Sequence, residues 1–303
     1  MTVVEVEGVG DDAGLHELLA FAATYGTPRV KTAVEYRELM VEAAAWTGIV
    51  ARADDGEIRA AALPSVQAAI GLDQAQLNAF LVPGDQAAFD AVLDAVARWA
   101  RERSTTHVTA HVSAPSEADI AAWIAAGFEQ VGERARVTLA VTPADAERAA
   151  IEIDGATITT LAERPELEQS ADELWRIAHD DVPSALRFSS ADVPPLRGEL
   201  GDDPERAVAL IAVDGDDRVV GLALLIRTAD RSIAGHRMTA TAREWRGRGL
   251  ASALKVAAIR WAAANGVTKL QASNDSGNAP MQAVNVRFGY ETEYRLVLMR
   301  RAI

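Results

Sequence analysis

The chain has 303 residues and no cysteine, which excludes disulfides, cysteine metal clusters and a cysteine nucleophile. Hydrophobic residues make up 49% and charged residues 24%, the balance of an ordinary globular protein and not of a disordered chain. The net charge of −14 repels nucleic acid and anionic lipid, and no run of about 18 apolar residues reads as a membrane span. At about 100–200 residues per domain, the length predicts two domains, each able to bury its own core. Met1–Gly14 is rich in Asp and Glu and lacks the apolar core of a signal peptide, which predicts a cytoplasmic protein.

In chain order, Thr47–Ala53 and Ile58–Leu63 flank the turn signal Asp54-Asp55-Gly56 and predict a hairpin. Leu77–Val82 predicts a strand, and Ala87–Glu102 an amphipathic helix. Val108–Ser113 reads as a strand, Glu117–Ala126 as a helix and Thr138–Val141 as a strand. Thr142–Gly155 is polar and charged, carries Pro143 near its start, and reads as a linker. Ala207–Val213 and Val219–Arg227 form a second hairpin about Asp214-Gly215-Asp216-Asp217. Ser232–Ala242 predicts a third strand. Trp245-Arg246-Gly247-Arg248-Gly249 then opens a helix with Leu250, Leu254, Ala257, Ala258 and Trp261 at helical spacing, and Asn265-Gly266 stops it. Val267–Ser273 predicts a strand, Asn278 caps a helix ending near Gly289, and Tyr294–Met299 predicts a final strand.

The two halves repeat this order. Trp123-Ile124-Ala125-Ala126-Gly127-Phe128 sits where Asn285-Val286-Arg287-Phe288-Gly289-Tyr290 sits, with Gly127 and Gly289 162 residues apart. Gly84 and Gly249 are 165 apart. Landmarks in step predict a duplicated domain and not a short-period solenoid. The expected division is 1–148 and 149–303.

Charge is uneven. From Arg243 onward ten basic residues face four acidic ones, +6 against −20 for the rest. This points to a local site for a small polyanion, and Arg246-Gly247-Arg248-Gly249-Leu250-Ala251 is suited to hold it. The first turn of a helix presents unpaired N–H groups and the positive end of the dipole. Glycines let that backbone wrap a phosphate closely. A P-loop would need Gly-x-x-x-x-Gly-Lys-Ser/Thr, which is absent. A dinucleotide fingerprint would need Gly or Ala where Ser252 stands and an acid near Lys269.

Arg246-x-x-Gly249-x-Ala251 after a strand resembles the acyl-CoA pyrophosphate loop of the GNAT superfamily of N-acetyltransferases. Thr239-Ala240-Thr241 precedes it, where such enzymes hold the pantetheine arm. Asn274, Asn278, Met281 and Asn285, followed by Phe288-Gly289-Tyr290, are similar to the Asn-rich stretch of tandem-domain acetyltransferases common in actinobacteria. The two-domain layout is similar to that of mycothiol synthase. The match covers roughly Val219 to Tyr290. The resemblance implies an α/β (α+β) fold of two tandem GNAT-like domains, each a mixed, mostly antiparallel sheet flanked by helices. It implies acetyl-CoA as co-substrate, held by Thr239, Ala240, Thr241, Arg246, Gly247, Arg248, Gly249, Leu250, Ala251, Ser252, Asn274, Asn278, Met281 and Asn285, with no metal. The N-terminal copy has Val82-Pro83-Gly84-Asp85-Gln86-Ala87 in the loop's place, with no arginine and one glycine. Asp85 would stabilise a helix start and oppose a phosphate, which implies a degenerate domain without a cofactor loop.

Acetyl transfer to an amine needs a neutral amine, a polarised thioester and a protonated leaving thiol. Splayed backbone near Thr239–Thr241 would hold the thioester carbonyl by N–H donation. Many family members carry a tyrosine four residues before the Gly-aromatic pair. Here that position is Asn285, whose amide only hydrogen-bonds sulfur or pantetheine, so the proton comes from solvent, Tyr290 or Tyr294. Two residues are candidate bases. His236 lies on the strand leading to the loop and titrates near neutrality. Strict alternation would put His236, Met238 and Ala240 on one face and Arg237, Thr239 and Thr241 on the other. At roughly 3.3 Å per residue, His236 would stand about 10 Å before Thr239. Asp181, with Asp180 in His179-Asp180-Asp181-Val182-Pro183, is expected in a loop between two helices, where members build acceptor pockets. Glu244 reads as an exposed partner of the arginines, and His16 as an exposed helix residue. His107 and His111 share a strand face without a third ligand signal, so no metal is expected. Trp99 and Trp261 read as core, whereas Trp245 either packs in the core or covers the cofactor.

The expected reaction is transfer of acetyl from acetyl-CoA to a primary amine of a small molecule by direct attack in a ternary complex. The acidic surface suits a cationic acceptor. No nucleic acid or membrane partner is expected, and the chain reads as a monomer or homodimer. The alternative is a non-catalytic acyl-CoA-binding or regulatory protein of the same fold, because Asn285 replaces the tyrosine and the first domain lacks the loop.

Overall fold

The computed structural model describes residues 2–6, 12–25, 40, 43–67, 73–181, 193–229 and 231–303. They fall into two compact units. The first runs to Glu133 and includes the C-terminal stretch Arg295–Ile303; the second lies within Arg134–Tyr294.

The first unit contains β1 (Thr2–Val6), α1 (Asp12–Tyr25), β2 (Ala43–Trp46), β3 (Gly48–Arg52), β4 (Ile58–Gln67) and β5 (Gln74–Leu81). There follow α2 (Gln86–Arg101), β6 (His107–Ser113), α3 (Glu117–Ala125), the start of β7 (Glu129–Ala140) and most of β13 (Glu291–Ala302). Its strand order is β1-β3-β4-β5-β6-β13, with β2 beside β4. The pairings are antiparallel except for the parallel β5 and β6. Side chains alternate across a strand. Ala60 and Ala62 therefore join the core under α2 with Phe89 and Trp99, while Ala61 and Leu63 join the one under α1.

The second unit contains the end of β7, β8 (Ala156–Thr160), α4 (Glu168–Asp181), α5 (Leu196–Leu200), β9 (Ala207–Asp214) and β10 (Val219–Arg227). It continues with β11 (Ile233–Thr241), α6 (Leu250–Ala264), β12 (Lys269–Asp275) and α7 (Ala279–Arg287). The order is β7-β12-β11-β10-β9-β8, antiparallel except for β11 and β12. Leu210 and Ala212 face α6, whereas Ala209 and Ile211 face α4 and α5. Gly221 sets how closely α6 approaches: a Cβ there would meet Leu250 and Leu254 at 3.0 Å. Both units are thus mixed, mostly antiparallel sheets with helices on their faces, as expected.

Several details differ from the sequence reading. A single cut after residue 148 does not reproduce the units, because the last strand pairs with β6. β7 begins at Glu129, well before Thr138. Its first half is polar, and Glu129 and Glu133 receive Arg300 and Arg295, so no apolar pattern reveals it. Thr142–Gly155 is no free linker: Pro143–Glu147 forms a 3-10 turn, and Arg260 of α6 donates to the Ala146 carbonyl. Asp180 and Asp181 close α4 and do not sit in a loop, while Val182 and Pro183 lie outside the described residues.

Candidate active site

The site begins with the way β11 is paired. Against β12 it holds only three residue pairs, Ile233 with Lys269 through Gly235 with Gln271. Beyond Gly235 the two strands part. Against β10 the register runs Leu224 to Met238 and then Leu225 to His236, leaving Arg237 as an extra residue. Such a bulge resets which way side chains point. His236 therefore reaches Tyr290 in the core beneath α6, whereas Met238 and Ala240 pack with the core beneath α4. The expected common face for His236, Met238 and Ala240 is not formed.

After β11, Arg243–Trp245 makes a 3-10 turn that ends on Arg246. Gly247 and Gly249 have φ of 76° and 86°, the left-handed region that favours glycine. Gly249 caps α6 without a side-chain hydrogen bond. The first N–H groups of α6 are thus unpaired by any cap and lie at the positive end of its dipole. Trp245 is a core residue, with the Arg248 guanidinium 4.8 Å from its ring centre.

Asp181, at the end of α4, grips the loop. It accepts from Arg243 Nη2 at 2.5 Å and Nε at 3.1 Å, and from Arg246 Nη2 at 2.5 Å. The Arg243 and then the Arg246 hydrogen bonds hold its carboxyl down to about 2. A carboxylate so weakly basic is a poor proton acceptor near neutrality, which argues against Asp181 as the base. Glu244 is exposed beside this pair.

A cavity of about 330 Å³ brings the predicted residues together. Asp181 of α4, Thr239, Ala240 and Thr241 of β11, Arg246, Ala251, Asn278 and Met281 all line it. Leu174, Ile177, Met238 and Val284 make its walls largely apolar. Gly247, Arg248, Gly249, Leu250, Ser252, Asn274, Asn285 and His236 are outside that lining. Asn278 is committed to capping α7, accepting from the Met281 N–H at 3.3 Å. A larger cavity of about 790 Å³ lies by Arg227, Arg231 and Trp261, away from the loop, and its arginines are already bound to Glu205, Asp203 and backbone carbonyls.

Beside the parting strands is a buried polar cluster. His236 Nε2 lies 2.7 Å from Tyr290 Oη. Lys255 of α6 is 1% exposed, with Nζ 4.7 Å from the Tyr290 ring centre. Burial, then the Lys255 charge, pushes His236 well below the usual histidine range. Burial lowers Lys255 to about 7 and raises Tyr290. Among the described residues, His236 Nδ1, both amide atoms of Asn285 and Asn274 Nδ2 are buried without a partner. Buried orphans are uncommon in folded proteins and call for a partner. The sequence places Lys255 one turn into the helix but gives it no role, and it does not reveal the His236–Tyr290 link. The one legible signal was a lysine between Leu254 and Val256 on a helix face otherwise apolar.

Residues 166–290, nearly all of them in the second unit, match the Acetyltransferase (GNAT) family. This segment is therefore read as a GNAT-type acetyltransferase domain, of a family that carries out acyl transfer. A GCN5-related N-acetyltransferase from Sphaerobacter thermophilus is similar at 20% identity and TM-score 0.74, over 99% of this chain and 95% of that one. A tandem GNAT protein from the clavulanic acid biosynthesis pathway is similar at 20% identity and TM-score 0.74, over 99% and 98%. A GCN5-related glucosamine N-acetyltransferase region of a fungal multi-domain β-N-acetylglucosaminidase aligns at 14% identity and TM-score 0.68, over 99% of this chain and 38% of that one. At these identities the likeness is one of fold. No curated protein matches the sequence. No helix among the described residues is long and apolar enough to cross a membrane, and no described cluster could hold a metal ion.

Proposed function

We propose that the second unit binds acetyl-CoA and transfers its acetyl group to a primary amine of a small, cationic molecule in a ternary complex. The observation that carries this reading is the parting of β11 from β12 beside the uncapped, glycine-led start of α6. A pyrophosphate fits the α6 N–H groups and Arg246, and the pantetheine fits the strand backbone of Thr239–Thr241 along the apolar cavity. The orphaned amides of Asn274 and Asn285 suit a polar ligand that supplies their missing partners.

In this reading the amine nitrogen attacks the thioester carbonyl, backbone N–H groups of β11 receive the developing oxyanion, and the C–S bond breaks. His236 takes the amine's proton through water. Asn285 hydrogen-bonds the sulfur, and the thiolate takes a proton from solvent. The first unit holds no cofactor. The protein acts in the cytoplasm as a monomer or homodimer, and its net charge of −14 draws cationic acceptors to it.

The test is release of CoA thiol from acetyl-CoA with spermidine, kanamycin and glucosamine as acceptors, alongside calorimetry of CoA binding. Binding with turnover of at least one amine is expected. Binding without turnover of any amine in a wider panel would favour the non-catalytic alternative, which the amide at Asn285 supports. No binding would end both.

A further inference from the structure

We propose that Lys255 is a positioning residue: its buried ammonium, set against Tyr290 beside His236, keeps the imidazole unprotonated and available to take a proton. The inference rests on the role given to His236 above.

Lys255 is buried on α6, flanked in sequence by the buried Leu254 and Val256. Removing an ammonium from water is costly unless something pairs with it. Among the described residues no carboxylate or carbonyl receives this one; its contact is the face of the Tyr290 ring at 4.7 Å. The Tyr290 hydroxyl in turn meets His236 Nε2 at 2.7 Å. The titratable groups facing His236 are Lys255 from α6 and Tyr290 from the turn before β13. β10 brings Leu225 opposite it, no described carboxylate bears on it from β12 or elsewhere, and Arg148, paired with Asp145, bears on Tyr290 and not on His236.

A protonated imidazole here would have a like charge as neighbour and no counter-ion, and like charge disfavours the charged form. The neutral ring with its hydrogen on Nε2 donates to Tyr290 and leaves a lone pair on Nδ1, the buried nitrogen without a protein partner. The arrangement is the reverse of a histidine paired with a carboxylate, which favours the imidazolium.

The test follows the His236 ring by NMR in the full chain carrying ¹⁵N-labelled histidine, the signal being assigned by its loss in His236→Gln. In the unaltered protein the titration midpoint is expected below the ordinary histidine value of about 6.5. Lys255→Met should raise it by about half a pH unit or more, and Lys255→Arg should leave it low. An unchanged midpoint in folded Lys255→Met overturns the proposal. If that variant does not fold, the uncharged polar Lys255→Gln replaces it with the same two outcomes, and a midpoint at or above about 6.5 in the unaltered protein also overturns the proposal. Full turnover by His236→Gln would instead sink the base assignment, leaving the titration to judge Lys255 separately.

Discussion

The two units start a helix after the central strand of the same motif, and the two starts differ in one decisive respect. At α2, Asp85 accepts from the Ala88 N–H at 3.2 Å and pairs with Arg59 at 2.9 Å. That helix end is closed by its own carboxylate. At α6, Gly249 offers no side chain, and the end is open. The contrast extends inward. Three residues after the first pair of the parallel ladder stands Leu77 in one unit and His236 in the other. Trp123 and Phe128 occupy the places of Asn285 and Tyr290. The first set packs with Phe89 edge to face, at 4.9 and 4.8 Å between successive rings. The second set leaves polar atoms unpartnered. Unpartnered buried atoms also occur in the first unit, at Trp99 Nε1 and Thr109 Oγ1, but at these matched positions one unit packs rings and the other keeps unmet hydrogen-bonding capacity of the kind a polar ligand can fill.

The comparison breaks hardest at Gly249. Gly249→Asp would give α6 the carboxylate that α2 has, at a φ of 86° that aspartate adopts reluctantly. Like charge against the pyrophosphate should cost several kcal/mol, on the order of a thousand-fold in CoA affinity. Calorimetry on the folded variant checks it, and affinity within about threefold would remove the loop from the site. The unaltered chain should bind a single equivalent; two equal sites would show that the closed end of α2 is no barrier.

His236→Gln carries the next largest effect. It replaces the ionisable member of the polar set with an amide, and turnover near pH 7 should fall about 10²-fold with CoA affinity intact. Because burial and Lys255 depress His236, the unaltered enzyme should lose activity only as pH falls well below 6.5. An acidic limb above that value, or unchanged turnover in the variant, would exclude His236 as the base.

How much of this was legible in the sequence follows from what each residue depends on locally. The open loop could be read because Arg246, Gly247 and Gly249 act within a few residues of one another. So could the capped start of α2, since Asp85 and Ala88 are neighbours. The hairpins about Gly56 and Gly215 announced themselves by turn chemistry. The start of β7 could not be read, because Glu133 is satisfied by Arg295, 162 residues away. Nor could the face of His236. Alternation predicts it until a single extra residue, Arg237, shifts the register, and nothing in the sequence marks that bulge. The Asp181 clasp was hidden for the same reason: its arginines lie 62 and 65 residues on.

A smaller effect separates closure from competition in the first unit. Asp85→Ala removes the cap and the partner of Arg59, and should destabilise that unit by about 1 kcal/mol in chemical denaturation. CoA stoichiometry should stay at one, because an open helix end without loop glycines and arginine does not make the site. A second CoA equivalent in this variant would mean that Asp85 alone had closed a functional loop.

The smallest expected effect concerns Asp181, which does at Arg246 what Asp85 does at α2, but from a distant helix. Its carboxyl is held at about 2, against an ordinary value near 3.9, so its folded form is depressed. The clasp is fully formed above about pH 4 and is lost only as pH falls through about 2. Near neutrality it is a fixed negative charge beside the proposed pyrophosphate site. Asp181→Asn removes that charge and keeps a side chain able to accept a hydrogen bond. A unit charge about 6 Å from a phosphate in water-like surroundings is worth about 0.7 kcal/mol, so CoA affinity should rise about threefold at low salt. The gain should shrink as salt screens the exposed arginines. Calorimetry at low and high ionic strength measures both. The opposing contribution is order: Asp181 fixes the guanidinium of Arg246, and a freed arginine loses part of its preorganisation. A loss of affinity that is insensitive to salt would show that holding Arg246 in place outweighs repelling the ligand, and would make Asp181 a support of the open helix end and not a competitor for it.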